Sequence, residues 1–287
     1  MQAAAKLRAL LESGDIIMAP GAPDALTARM VERAGFPAVY MTGFGATASR
    51  LGMPDIGLLT QTEMTEHARN MTRAVTIPVI ADADTGYGGP SNIQRTVREY
   101  IQAGAAAIHL EDQVAPKRCG QLAGIRLMDA EESAQRLRCA LASRGDDDLL
   151  VIGRTDALPA EGIDEAVRRA LLYREAGVDL VFVDGIKTIA EVKAVARAVP
   201  GPKIVSIVDG NETTALTAEE LQQLGFSVAL YAVSTLFSAV RTIAGTLEAL
   251  RREGSTQSRQ SAMATYAEFS EIVGLPAHKA WADRFEG

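Results

Sequence analysis

Ala106-Ala107-Ile108-His109-Leu110-Glu111-Asp112, with Lys117-Arg118-Cys119-Gly120 a few residues on, is the stretch from which the fold is read. Its apolar run has the length of a strand, ends in two acids and gives way to a loop containing proline and glycine. The same unit recurs along the chain. Strands are expected at 16–19, 38–41, 78–81, 106–111, 149–153, 180–183, 204–208 and 227–230. Between them, helical spacing marks 24–34, 62–74, 91–103, 131–143, 164–176, 189–199 and 217–224, with further helices at 1–13 and 233–252. Ser91 and Thr217 are read as N-caps, and Glu219-Glu220 suits the first turn of its helix. Thr42-Gly43-Phe44-Gly45 reads as a small-residue loop, and Gly52-Met53-Pro54-Asp55 lies on a longer one. Strict strand–helix alternation implies parallel strands, and eight units close a (β/α)8 TIM-type barrel, an α/β fold.

Composition agrees. Aromatic residues make up 5% of the chain and aliphatic ones are plentiful, which suits helices over parallel strands. The net charge of −7 advertises no basic face for nucleic acid. No run approaches the roughly 18 apolar residues of a membrane span, and residues 1–13 carry no apolar signal core, so a soluble, cytoplasmic protein is expected. Two cysteines, Cys119 and Cys139, make no disulfide framework. Cys139, inside a helix, reads as a packed or surface thiol. The polar segment 254–258 reads as a hinge, dividing a barrel at 1–253 from a helical extension at 254–287. Apolar residues in that extension find no face on a closed barrel, and a neighbouring subunit is expected to cover them.

Barrel enzymes carry their chemistry at the C-terminal ends of the strands. Here those ends hold Asp82-Ala83-Asp84, Glu111-Asp112, Arg154-Thr155-Asp156, Asp184-Gly185 and Asp209-Gly210-Asn211. Hard oxygen donors without a histidine cluster suit Mg²⁺, with Mn²⁺ as its substitute. Arg154 reads as a carboxylate clamp through its fork of donors, or as the salt-bridge partner of Glu111 or Asp156. Lys117 and Arg118 precede Cys119 directly, and nearby positive charge favours a thiolate. The loop is therefore read as mobile and exposed, carrying a thiol whose pKa is lowered toward neutrality. His67, His109 and His278 read as structural.

The motifs Asp82-Ala83-Asp84-Thr85-Gly86-Tyr87-Gly88, His109-Leu110-Glu111-Asp112-Gln113 and Lys117-Arg118-Cys119-Gly120 resemble the isocitrate lyase/phosphoenolpyruvate mutase superfamily, over roughly residues 19–250. The lyase branch, with 2-methylisocitrate lyase and 2,3-dimethylmalate lyase, is the better match, since the mutases lack the cysteine loop. The resemblance implies a Mg²⁺-dependent retro-Claisen cleavage of a small 2-hydroxy or 2-oxo di- or tricarboxylate. It also implies a homotetramer with its last helices exchanged between subunits. It gives Asp82, Asp84 and Glu111 the metal shell with Asp55 behind, and Thr42, Gly43 and Phe44 the keto-acid carboxylate. Arg154 grips the keto-acid half. Cys119 is the general acid, flanked by Lys117, Arg118 and Gly120, and Tyr40 is a candidate for the hydroxyl proton.

Four positions depart from the lyase pattern. Gln121 replaces a histidine, Asp184 a glutamate and Ser206 an asparagine, and Phe237 stands where tricarboxylate lyases carry an arginine. An apolar Phe237 leaves a third carboxylate unpaired, which is costly once desolvated, so a substituted malate is the expected substrate. Oxaloacetate decarboxylation or acyl hydrolysis on the same platform is the alternative given by Gln121 and Ser206. Phosphonomutase chemistry and a merely binding barrel are the remaining readings, both disfavoured by Cys119.

Overall fold

The computed structural model describes residues 2–286, so Met1 and Gly287, the outermost residues of the expected first helix and of the extension, lie outside it. Eight strands, β1 (Ile17–Ala22), β2 (Val39–Met41), β3 (Val79–Asp82), β4 (Ala107–Glu111), β5 (Leu150–Thr155), β6 (Leu180–Val183), β7 (Lys203–Ile207) and β8 (Val228–Tyr231), pair in sequence order and in parallel. The barrel closes by pairing β1 with β8, Ile17 opposite Val228 and Ala19 opposite Leu230.

A two-residue period sorts each strand into an outer and an inner set. Outward residues such as Val79, Ala81, Val151 and Val181 pack beneath the helices. Inward residues such as Ile80, Ala107, Ile152, Phe182 and Ile204 fill the lumen, with Ala4 and Leu7 of the helix Ala3–Glu12 in the same cluster. The next inward position on several strands is polar. Asp82 follows Ile80, Glu111 follows Ala107 and His109, Arg154 follows Ile152, Asp184 follows Phe182, and Ser206 follows Ile204. The apolar lumen is thus the floor of a polar rim.

The helices begin where their caps dictate. Asp24 accepts from the Thr27 N–H at 2.7 Å at the start of Ala25–Arg33. Thr60 with Glu63, Thr188 with Glu191 and Thr217 with Glu220 form reciprocal capping boxes, each cap contributing about 1 kcal/mol. Ser91 does not cap its helix, which starts one residue earlier at Pro90 with Gly89 at the cap, because proline suits the first helical position. The segment read as a small-residue loop is instead the helix Gly43–Leu51, capped by Thr42. A short helix, Ala157–Glu161, follows β5 and was also not expected.

The last barrel helix, Ser234–Glu253, exposes Phe237, Val240, Ile243, Leu247 and Leu250. Beyond it come a 3₁₀ turn, Gln257–Ala262, and two helices, Tyr266–Ile272 and Leu275–Ala282. The first of these two helices is tethered by Arg29, which donates to the Ile272 carbonyl at 3.4 Å. Tyr266, Trp281 and Phe285 stay exposed. No helix among the described residues is long and apolar enough to cross a membrane.

Candidate active site

A cavity of about 370 Å³ opens at the C-terminal rim. Its wall includes Tyr40, Thr42, Phe44, Asp55, Asp82, Cys119, Gln121, Arg154, Asp184, Ser206, Asn211 and Phe237. Eleven of these twelve were singled out from the sequence; Asn211 was noted only as a strand-end residue. The cavity therefore gathers loops after β2, β3, β5, β6 and β7 with the cysteine loop above them.

That loop, expected to be exposed, keeps Arg118 and residues 122–124 at the surface but buries Lys117 and Gly120 and half-buries Cys119. Lys117 is buried, and its ammonium lies 2.8 Å from Asp55 Oδ1 and 2.7 Å from Asp84 Oδ1. The Cys119 N–H donates to the Asp55 carbonyl at 3.1 Å. Gln113 accepts from the Arg118 N–H at 2.9 Å and donates to the Arg118 carbonyl at 2.7 Å. Gly120 packs so closely that a Cβ there would meet Asp184 Oδ2 at 2.6 Å and Asp156 Oδ1 at 2.7 Å. Of the two cations, Arg118 is turned outward, exposed, and donates to the Ala123 carbonyl at 3.3 Å. It takes no part in the cavity.

The expected thiol activation is overturned for the same reason. Burial pushes Cys119 up to about 11; the Gln121 backbone N–H opposes this, but Asp184 and Asp55 add to it. Lys117 is spent on its two carboxylates and Arg118 faces water, so neither stabilises a thiolate. At neutral pH Cys119 is a protonated thiol, an acid rather than a base.

Arg154 is the salt-bridge partner of both acids named for it, and of Asp184 as well. Its guanidinium lies 3.4 Å from Glu111, 2.9 Å from Asp156 and 2.7 Å from Asp184, while its Nε is buried and unpartnered at the cavity wall. Asp82 is held at about 2; burial pushes it up, but the Lys117 and Arg154 charges and the Asp84 N–H outweigh that. His109 is the largest of the opposing charges: burial lowers it to about 4, so it is neutral at pH 7 but charged where Asp82 takes up its proton. Asp84 stands at about 6, raised by burial and by Asp82 and Asp55 against the pull of Lys117. Its φ of 45° takes it out of the strand alternation that was expected to align it with Asp82. Burial raises Glu111 well above the usual carboxylate range, with Arg154 opposing.

These acids were expected to form a metal shell. Among the described residues, no three His, Cys, Asp or Glu side chains stand close enough to hold an ion directly. Yet both Glu111 carboxylate oxygens are buried without a hydrogen-bond partner, and buried orphan acceptors call for a cation or water. A Mg²⁺-type ion keeps several waters and needs only one or two carboxylates. The donor set fits such an ion held by Asp82, Asp84 and Glu111 largely through water, with Asp55 reached through Lys117.

Gly43 donates to Asp82 Oδ2 at 3.2 Å, and a Cβ there would lie 2.4 Å from that oxygen. This close approach sets the N-terminus of the helix Gly43–Leu51, which begins at Thr42 and favours negative charge, beside the acids. Tyr40 bonds His109 Nε2 at 3.0 Å, and burial keeps its hydroxyl protonated. A hydroxyl raised in this way is a poor base, which weighs against the role in taking the hydroxyl proton expected of it. His109 lies beneath the wall, against Phe182 with ring centroids 5.8 Å apart. Phe237 stacks edge-on against Phe44 at 6.2 Å and makes one side of the mouth apolar.

Two residues that carry much of this geometry were named at strand ends in the sequence but given no site role beyond Asp156 as a possible partner of Arg154. Asp112 accepts from Thr155 Oγ1 at 2.7 Å, the Asp156 N–H at 2.9 Å, Tyr173 at 2.8 Å and Arg169 at 3.2 Å. It locks the end of β5, on which Arg154 sits. Asp156, the second, lies between Gln113 at 3.0 Å and Arg154 at 2.9 Å. The available signal was position, since each lies one or two residues past a strand's last inward side chain.

Comparison with known proteins agrees with this geometry. The family model of phosphoenolpyruvate phosphomutase matches residues 7–251. The chain is 42% identical over 275 residues to the 2,3-dimethylmalate lyase of Eubacterium barkeri, covering 96% of this chain and 95% of that one. Among solved structures, an oxaloacetate acetylhydrolase in complex with the inhibitor 3,3-difluorooxalacetate superposes with a TM-score of 0.92, at 36% identity over 98% of this chain and 96% of that one. A phosphonopyruvate hydrolase in complex with oxalate and Mg²⁺ superposes with a TM-score of 0.90, at 32% identity over 99% of each chain.

Proposed function

We propose, for a chain that belongs to the phosphoenolpyruvate mutase/isocitrate lyase superfamily, that its substrate is a substituted malate of the 2,3-dimethylmalate type, cleaved into a 2-oxo acid and a carboxylic acid. The chain is an enzyme, a carbon–carbon lyase of this superfamily. The observation that carries the substrate reading is that Cys119 shares one cavity with Arg154 and the apolar Phe44–Phe237 edge.

The residues divide the work. Arg154 and the start of the helix Gly43–Leu51 hold the carboxylate of the 2-oxo half. Tyr40 orients the substrate's hydroxyl oxygen. The hydroxyl proton passes to water, the C2–C3 bond breaks, and its electron pair moves onto C3 and the adjoining carboxylate. Cys119 gives its proton to C3, and the thiolate regains one from water when the loop opens. A thiol near 11 remains protonated until a strong base forms next to it, which suits donation to a carbanion. A divalent cation held by Asp82, Asp84 and Glu111 supplies fixed positive charge beside the oxygens that become negative. The closed loop excludes bulk water that would protonate the carbanion without control, leaving the water that takes the hydroxyl proton.

The test is a screen of substituted malates and 2-oxo diacids with Mg²⁺, read by product mass. Two organic fragments from a dialkylmalate support the reading, and Cys119→Ser lowers that kcat by about 10²–10⁴-fold with binding retained. An unchanged kcat refutes the acid role. A second reading, hydrolysis or decarboxylation of oxaloacetate, is favoured by Ser206 on the cavity wall and by the likeness to an oxaloacetate acetylhydrolase. Oxalate with acetate, or pyruvate with CO₂, identifies it.

A further inference from the structure

We propose that Asn211 and Gln121 together form the specificity contact of this cavity: Asn211 holds the Gln121 carboxamide so that its NH₂ meets the substrate carboxylate on the carbon Cys119 protonates. The inference rests on the lyase reading above and names what that site selects. The Asn211 NH₂ donates to Gln121 Oε1 at 3.2 Å, tying the loop after β7 to the cysteine loop. Asn211 is itself fixed, its N–H donating to the Val208 carbonyl at 3.1 Å and its carbonyl accepting from Thr214 Oγ1 at 2.9 Å. With its oxygen engaged, Gln121 is left with a buried Nε2 that has no partner, on the same wall as Cys119. A buried unpaired donor is costly, and a ligand acceptor removes that cost.

The chemistry of the acceptor follows from the surroundings. Asp184 and Asp209 share the cavity wall. A cationic side chain at position 121 would be drawn to such carboxylates, whereas an amide stays free for the ligand. A neutral donor serves one carboxylate and does not titrate. Across the mouth, Phe44 and Phe237 offer an apolar face where a third carboxylate would be stranded. The pair therefore selects a dianion with one carboxylate at C3 and an alkyl group beside it.

Asn211 is a positioning residue, so its substitutions are ranked as well as measured. In a Cys119→Ser background that slows turnover, Kd for 2,3-dimethylmalate is measured by calorimetry with Mg²⁺ present. Gln121→Ala is expected to weaken binding about 10–100-fold, the range for a hydrogen bond to a charged group. Asn211→Ala weakens it less, since Gln121 remains but is no longer aimed. Asn211→Asp is nearly isosteric, yet its carboxylate accepts from Gln121 Nε2 and turns Oε1 toward the substrate, so it binds worse than Asn211→Ala. A merely structural asparagine would rank the aspartate between wild type and alanine, and that order overturns the proposal. Gln121→His should give Kd a pH dependence centred on an ordinary imidazole, near 6.5, absent from the parent; no new dependence also counts against the contact. If wild-type enzyme releases no 2-oxo acid from any substituted malate, the lyase reading falls, while the ranking of Kd values still decides the contact.

Discussion

Substituting Gly120 by alanine should open the cysteine loop without unfolding the barrel. The added Cβ would meet Asp184 Oδ2 at 2.6 Å, Asp156 Oδ1 at 2.7 Å and Arg154 Nη2 at 3.1 Å. Unstrained contacts of carbon lie near 3.5 Å, so about 0.8 Å of movement is needed. The three opposing groups cannot retreat separately, because Arg154 holds Asp184 at 2.7 Å and Asp156 at 2.9 Å. The loop must give way, and Cys119 moves into water. Its thiol then returns from about 11 toward the ordinary 9.0. At pH 8 the thiolate fraction rises roughly 100-fold, offset about tenfold by the lower nucleophilicity of a less basic thiolate. Reaction with an aromatic disulfide reagent, in a Cys139→Ala background, should accelerate at least about tenfold, with improved access adding to that. Over the same substitution kcat/KM should fall at least about 100-fold, as misplaced catalytic groups do, while the melting temperature shifts by only a few degrees. A wild-type Cys119 that already reacts like a free thiol would refute the closed, buried loop. So would a Gly120→Ala enzyme with unchanged reactivity and unchanged turnover.

Three other outcomes are expected. Chelation with EDTA should abolish turnover and Mg²⁺ or Mn²⁺ restore it, and Asp84→Ala should lose activity with its circular dichroism intact; full activity in excess chelator removes the metal from the scheme. The exposed stripe of Phe237, Val240, Ile243, Leu247 and Leu250, with Trp281 and Phe285 beyond it, should be covered by a second copy; sedimentation should show a tetramer, and a compact monomer at micromolar concentration contradicts it. Phe237→Arg should raise activity on 2-methylisocitrate relative to 2,3-dimethylmalate, and a wild type that already prefers the tricarboxylate sinks the size argument.

The barrel was legible because its signal is repeated. Each apolar strand followed by a helical period adds to the same count, so boundary errors of a residue or two leave the topology untouched. Gly43–Leu51 was missed because Gly43 and Gly45 in its first turn carry little helical preference; Thr42 caps it, and Gly43 bonds Asp82 at its start. The cavity wall was legible for a related reason, since strand ends are where inward alternation leaves the packed lumen. The state of Cys119 was not. Two adjacent cations read locally as exposure and thiolate stabilisation. Lys117, however, finds Asp55 at 2.8 Å, 62 residues away in sequence, and Gly120 lies under Asp184. Contacts over that separation leave no trace in a window of neighbours, and they invert the sign of the shift.

The charges at the rim explain why several of its acids are raised by burial. Asp55, Asp82, Asp84, Glu111, Asp156 and Asp184 face only Lys117 and Arg154 as buried cations in their cluster. Fully ionised, six carboxylates against two cations would leave an excess of four negative charges. The protein relieves part of this by letting burial raise Glu111, Asp84 and Asp184. A dianionic substrate entering that field would still be repelled. A divalent cation, which Glu111 with its two unpartnered oxygens could help hold, would change the balance by two charges and favour ionisation of the raised acids. The lysine that sequence reading placed beside Cys119 for the sake of the thiol thus acts on the acids instead.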